Sequence, residues 1–190
     1  MSFWLIKEAT GVLLTFGAGN AVGVVLGGTL GHFLYKYDVR FPSIVMGISI
    51  ILSCFPMWYI ISSVDSESNL GIASVAMFSA GVLTIIPIPI ERAILSNVTL
   101  PETRGRAMAF LNIIDDLGKG FGPYLLSLLI AQLGRETAFK ISLTGWLLGG
   151  SISLGLFSTI RNDEMSLQET IFRRLESQNQ ESLINDNEHR

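Results

Sequence analysis

The chain has 190 residues, of which 49% are hydrophobic and only 15% charged, and its mean hydropathy is +0.48; a soluble domain carries about 25% charged residues. The charges, which sum to −3, fall in short clusters between long apolar runs, the pattern of a polytopic membrane protein, and no basic surface argues for a nucleic-acid partner. A lone cysteine, Cys54, excludes an intrachain disulfide framework and offers no metal-binding cluster.

Crossing a hydrocarbon core of about 30 Å takes roughly 20 helical residues, and five runs meet that length: 9–34, 42–62, 70–90, 107–132 and 138–160. The opening MSFWLIKEATG has no basic n-region and no small-residue cleavage site, so the first run is expected to be a retained helix and not a signal peptide. Gly19, Gly23, Gly27 and Gly31 recur in it every four residues, which lines them along one face. Small residues at that spacing let a second backbone approach closely in lipid, where packing drives association. The stripe serves static packing, helices that slide during a transport cycle, or both. Asn20 is a polar residue in the same run, able to form an interhelical hydrogen bond or to contact a solute. His32 and His189 carry no metal signal.

The second run follows the charged, proline-containing link YKYDVRFP and contains Cys54, which is expected to be packing filler. The third ends in TIIPIPIER, where Pro87 and Pro89 remove helix hydrogen bonds; broken helices of this kind often lie beside transporter sites. A charged loop over 91–106 comes next, with Glu91, Arg92, Pro101, Glu102, Arg104, Gly105 and Arg106.

The fourth run carries Asp115, Asp116 and Lys119. From a start near Ala107, a rise of 1.5 Å per residue puts Asp115 about 12 Å and Lys119 about 18 Å into the core. A lone charge there costs at least ~2.5–3.5 kcal/mol, so three unpaired ones approach ~10 kcal/mol. Asp115 and Lys119 are four apart and share a face, whereas Asp116 points about 100° away and calls for another partner or water. Three readings stand: a structural ion pair, the lining of a substrate or proton path, or a helix boundary that lies elsewhere. Asn112 is a weaker polar candidate on the same run. GKGFGP, with Gly118, Gly120, Gly122 and Pro123, interrupts it further.

The last run bears a shorter small-residue stripe, Gly145, Gly149 and Ser153. Residues 161–190 then form a polar tail, set apart from the membrane domain of 1–160, with seven Asp or Glu against four Arg. Leu167, Ile171 and Leu175 suggest a short amphipathic helix there, and the final dozen residues have the composition of disorder.

Counting Lys and Arg near the run ends sets orientation. One face collects Lys36, Arg40, Arg92, Arg104, Arg106, Arg161, Arg173 and Arg174; the other holds Lys7, Arg135 and Lys140. The 35–41 loop, the 91–106 loop and the C-terminus are therefore expected in the cytoplasm, with the N-terminus outside or lumenal. The acceptor pattern Asn97-Val98-Thr99 would then face the cytoplasm and stay unglycosylated.

LTFGAGNAVGVVLGGTLGHFLYKYDVRFP resembles the helix-and-loop unit of major facilitator superfamily transporters. NVTLPETRGRAMAFLNIIDDLGKGFGP resembles the passage between that family's tenth and eleventh helices, closest to the spinster-like, organic-solute branch. Pro101, Glu102, Arg104, Gly105, Gly118, Gly122 and Pro123 carry the likeness, which covers nearly all of residues 9–160. The resemblance implies an all-α membrane bundle in which the five runs match the eighth to twelfth helices. The first half of that fold and its seventh helix would then be absent, as in a truncated product, a gene-model fragment or a split transporter. The family's cytoplasmic acidic signature residue falls near position 32, where this chain has His32; its basic end survives as Lys36 and Arg40. Glu102 and Arg104 would join a cytoplasmic charge network or anchor their loop at the interface.

The function expected on these grounds is transport of a small organic solute by alternating access, with Asp115, Asp116, Lys119, Asn112 and Asn20 as candidates for substrate contact or proton coupling. Its partners would be the lipid bilayer, the solute, and the absent half or a second copy of the chain. A non-transporting regulatory or assembly partner is the second reading. HExxH, GxSxG and GxxxxGK[ST] do not occur, no enzyme activity is expected, and no cofactor or metal is called for.

Overall fold

The structure is a computed structural model that describes residues 2–63 and 70–188. Among them every regular element is an α-helix: α1 Ser2–Tyr35, α2 Phe41–Ser63, α3 Leu70–Ile85, α4 Pro87–Asn97, α5 Arg104–Leu133 and α6 Arg135–Glu188. Residues 64–69, most of the polar link after the second run, lie outside the described residues, as do Met1, His189 and Arg190.

Four helical stretches are long and apolar enough to cross a membrane: Thr10–Tyr35, Phe41–Ser62, Gly71–Asn97 and Arg135–Gln178. The fifth expected span is not in that set. At 30 residues α5 has the length, but its charged centre lowers its apolarity. The outward faces of the other helices are as oily as their contacts, with Leu14 at 70% and Ile152 at 73% exposure. Helices apolar all round are either buried or lipid-facing, and a multi-pass membrane bundle satisfies both sides at once.

The third span differs from its expected bounds of 70–90. Pro87 and Pro89 sit in the first turn of α4, where a missing N–H leaves no bond within α4 unmade and the fixed φ favours helix. Ile86 keeps right-handed helical dihedrals, φ −50° and ψ −40°, so the chain continues as a second helix. The charged loop of 91–106 therefore shrinks to residues 98–103, and Glu91 and Arg92 are helical.

Order along the helices fixes their directions. Gly19 approaches Phe78 and Val82, Gly27 approaches Ile86 and Pro89, and Gly31 approaches Ile90; numbers rise together, so α1 runs parallel to α3 and α4. Gly47 meets Leu154 and Gly150, the Trp146 indole N–H donates to Ser53 Oγ at 3.1 Å, and Lys140 sits over the Trp58 ring. Here numbers rise in α2 as they fall in α6, an antiparallel pair. Met46, Ile86 and Ile90 form the buried centre between α2 and the α3/α4 break.

α6 has 54 residues, or about 80 Å of helix, more than twice the ~30 Å hydrocarbon thickness. Arg161, Asp163 and Glu164 mark where the apolar part ends. Where composition suggests a short helix and then disorder, the helix continues unbroken to Glu188. No Gly or Pro follows Gly155, straight-chain helix formers are frequent, and Glu169 pairs with Arg173 one turn on at 2.6 Å.

Candidate functional site

Two places gather the candidate polar residues. The first is the middle of α5. Asn112, Asp115, Asp116 and Lys119 fall at offsets of three, four and seven, one face of a helix. Lys119 Nζ lies 3.4 Å from Asp115 Oδ2 and 4.0 Å from Asp116 Oδ1. The separate partner expected for Asp116 is thus not required, because the flexible lysine stem reaches both carboxylates. One carboxylate is left in excess, and the Asp116 and Lys119 side chains face away from the rest of the chain at 79% and 68% exposure, while Asp115, at 40%, is turned partly inward. α5 buries no residue, touches α4 and α6 lightly, and leaves open space around Gly105, Gly118, Gly120 and Gly122.

Glu91 belongs to this neighbourhood and not to a loop. It is half-buried on α4, lining a cavity of about 220 Å³ with Met46, Leu111 and Leu156, and its carboxylate is close enough to Asp115 for the two to repel. Arg92 points outward.

The second place lies between α1, α2, α6 and the α3/α4 break. A cavity of about 420 Å³ is walled mainly by Phe16, Met57, Ile85, Ile88, Phe139 and Leu143, with Asn20, Thr84, Ser142 and Trp146 as its polar members. Asn20 Oδ1 is buried with no hydrogen-bond partner among the described residues. A buried acceptor left unmade costs about 1–3 kcal/mol, so its retention in an apolar wall calls for a reason. α5 contributes nothing to this cavity. The structure therefore separates Asn20 from Asp115, Asp116 and Lys119.

The loop residues divide as well. Glu102 Oε2 accepts a hydrogen bond from Arg174 on the α6 extension at 2.8 Å, while Arg104 opens α5 without an ion pair among the described residues and Pro101 and Gly105 are exposed. Arg40 lies over the Phe157 ring, 5.5 Å from its centre, with Nε buried and unpartnered among the described residues. Nearby, Tyr35 Oη donates to Glu164 Oε1 at 2.5 Å, tying the end of α1 to α6.

All four glycines of the first stripe face α3 or α4, and Gly81 reciprocates by lying against Phe16 and Asn20. Gly145 and Gly149 open onto empty space instead; the residue at the α2–α6 approach is Gly150, opposite Ile50 and Ile51. The expected stripe of Gly145 and Gly149 is thus one residue out of register with the helix contact. Trp146, Ser53, Tyr35 and Glu164 have no sequence signal, since their partners are 93 and 129 residues away.

Comparison with known proteins yields no match to a family model, to a curated protein or to a solved structure.

Proposed function

We propose that the chain is part of a secondary transporter of the major facilitator type that moves a small organic solute by alternating access. The observation that carries this reading is the outward-facing Asp115–Asp116–Lys119 group at mid-helix in α5. Arg104 is 11 residues before Asp115, so the group begins about 16 Å along a helix about 45 Å long. Ionisable groups at such depth face a bundle interior or a wet cavity and not acyl chains. No other described helix covers Asp116 and Lys119, so a water-filled path bounded by a complementary half, or by a second copy, is the surface they fit. The proline-interrupted α3/α4 stretch supports the same reading, since half-helices at mid-membrane commonly border solute sites. Asp116, the more exposed carboxylate, is assigned the solute- or proton-contacting role, and Asp115 paired with Lys119 the role of lowering the cost of placing it there.

A second reading, a non-transporting partner that docks the charged face of α5 on another membrane protein, is favoured by how lightly α5 is held to its own chain. Uptake of a panel of radiolabelled neutral, cationic and anionic organic solutes into vesicles bearing the full chain separates the two. Transport predicts accumulation of at least one solute and at least a tenfold lower rate for Asp116→Asn at equal membrane insertion. A chain that inserts but moves nothing in the panel supports the second reading, whereas an Asp116→Asn variant with unchanged uptake removes Asp116 from the transport mechanism.

A further inference from the structure

We propose that the groove between the outer faces of α2 and α6 binds a sterol, a rigid amphiphile with a single hydroxyl head. The groove has a volume of about 520 Å³ and runs from Ile51, Cys54 and Leu147 to Trp58, Tyr59 and Ser62. Its α2 residues recur at three- and four-residue steps, which sets them on one helix face. That face is turned outward: Phe55 and Trp58 are 69% and 51% exposed. α5 and its charged group contribute nothing to the groove, so the inference goes beyond the transport reading and rests only on the bundle lying in a bilayer.

Length, polarity and shape select the occupant. From Ile51 to Ser62 the helix rises about 16 Å, against about 15 Å for half of the hydrocarbon core, so the groove is one leaflet deep. Its polar atoms gather at one end. The Cys54 thiol, in the deeper part, donates to the Ile50 carbonyl of its own helix at 3.5 Å. The Trp58 N–H and the Tyr59 and Ser62 hydroxyls fall within about 6 Å along the axis, at the end of α2 where Trp and Tyr suit a membrane interface. Hydroxyls donate and accept, and so match a hydroxyl head. A phospholipid phosphate is less well served, because Lys140, the cation beside Trp58, is paired with Glu136 and lies over the indole ring, 5.4 Å from its centre. Phe55, Trp58 and Tyr59 offer flat faces, and a fused ring system loses less conformational freedom on binding than an acyl chain does.

The probe is a photoactivatable cholesterol with its hydroxyl intact and a diazirine on the ring system. It is cross-linked by light to the full chain in phosphatidylcholine nanodiscs, and the labelled residues are mapped by mass spectrometry. Labelling within 51–62 and at Leu147 is expected at least tenfold above that at Leu14 on α1 and Ile152 on α6, which also face outward. Excess unlabelled cholesterol is expected to displace it at least fivefold better than cholesterol methyl ether, which cannot donate. Phe55→Ala, at a position peripheral to the fold, is expected to lower groove labelling at least fivefold, and Leu14→Ala to leave it unchanged. Equal labelling at Leu14 and Ile152, groove labelling that cholesterol fails to displace, or a methyl ether that competes as well as cholesterol overturns the proposal on the unaltered chain, whether or not Phe55→Ala folds.

Discussion

At the scale of single residues, glycine identity decides how closely the helices meet. A Cβ built on Gly27 would lie 2.6 Å from the Ile86 carbonyl oxygen, whereas one on Gly28 meets nothing within 4 Å. Gly27→Leu is therefore expected to destabilise the bundle by about 1–3 kcal/mol, and Gly28→Leu to be nearly neutral, in unfolding titrations of the purified protein. The same contrast applies one helix pair away. Gly150→Leu is expected to be costly because Ile51 Cγ1 stands 2.9 Å from its Cβ position, and Gly149→Leu is not, with open space around it. A four-residue spacing reveals that a face is small, but not whether a neighbour lies against it. For Gly19 to Gly31 the run of four leaves one choice of face; near Gly149 and Gly150 two adjacent glycines leave two, and only the position of α2 distinguishes them. Likewise the spacing of Asp115 and Lys119 discloses their pairing, while the reach of Lys119 to Asp116 depends on a side-chain torsion that spacing does not determine.

At the scale of elements, the break between α3 and α4 is the clearest local conflict. Two prolines in three residues are legible as an interruption, yet the same prolines suit the first turn of a new helix, and that second effect prevails. Pro87→Ala restores a donor to the Leu83 carbonyl and is expected to raise stability, by at most ~3 kcal/mol, while lowering solute uptake; equal uptake would remove the break from the mechanism. The α6 extension is held differently. Its Arg174–Glu102 contact joins two side chains that are 53% and 70% exposed, so removing it with Glu102→Ala is expected to cost no more than ~1 kcal/mol, and less at high salt. The tail's polar composition disguises a helix because polarity alone does not separate a solvated helix from a disordered segment; the absence of Gly and Pro beyond Gly155 is the better guide.

At the scale of the whole molecule, four apolar stretches and one charged helix form a bundle whose outer surface needs two different environments. The four take lipid, as Leu14, Phe55 and Ile152 indicate by their outward positions. One face of α5 is unsuited to lipid, since Asp116 and Lys119 project from it and none of the other described helices covers them. Long apolar runs make the membrane class readable without a structure. Which charged residues lie together is not, because Glu91 joins Asp115 only through the α4–α5 contact. The central claim is that water reaches this face from each side of the membrane in turn. With Cys54→Ser removing the natural thiol, Asp116→Cys in the native membrane tests it through a membrane-impermeant thiol reagent applied to right-side-out and inside-out vesicles, with Ile152→Cys as the lipid-facing control. The account predicts that position 116 reacts from both sides and position 152 from neither; a position 116 as unreactive as 152 would contradict it.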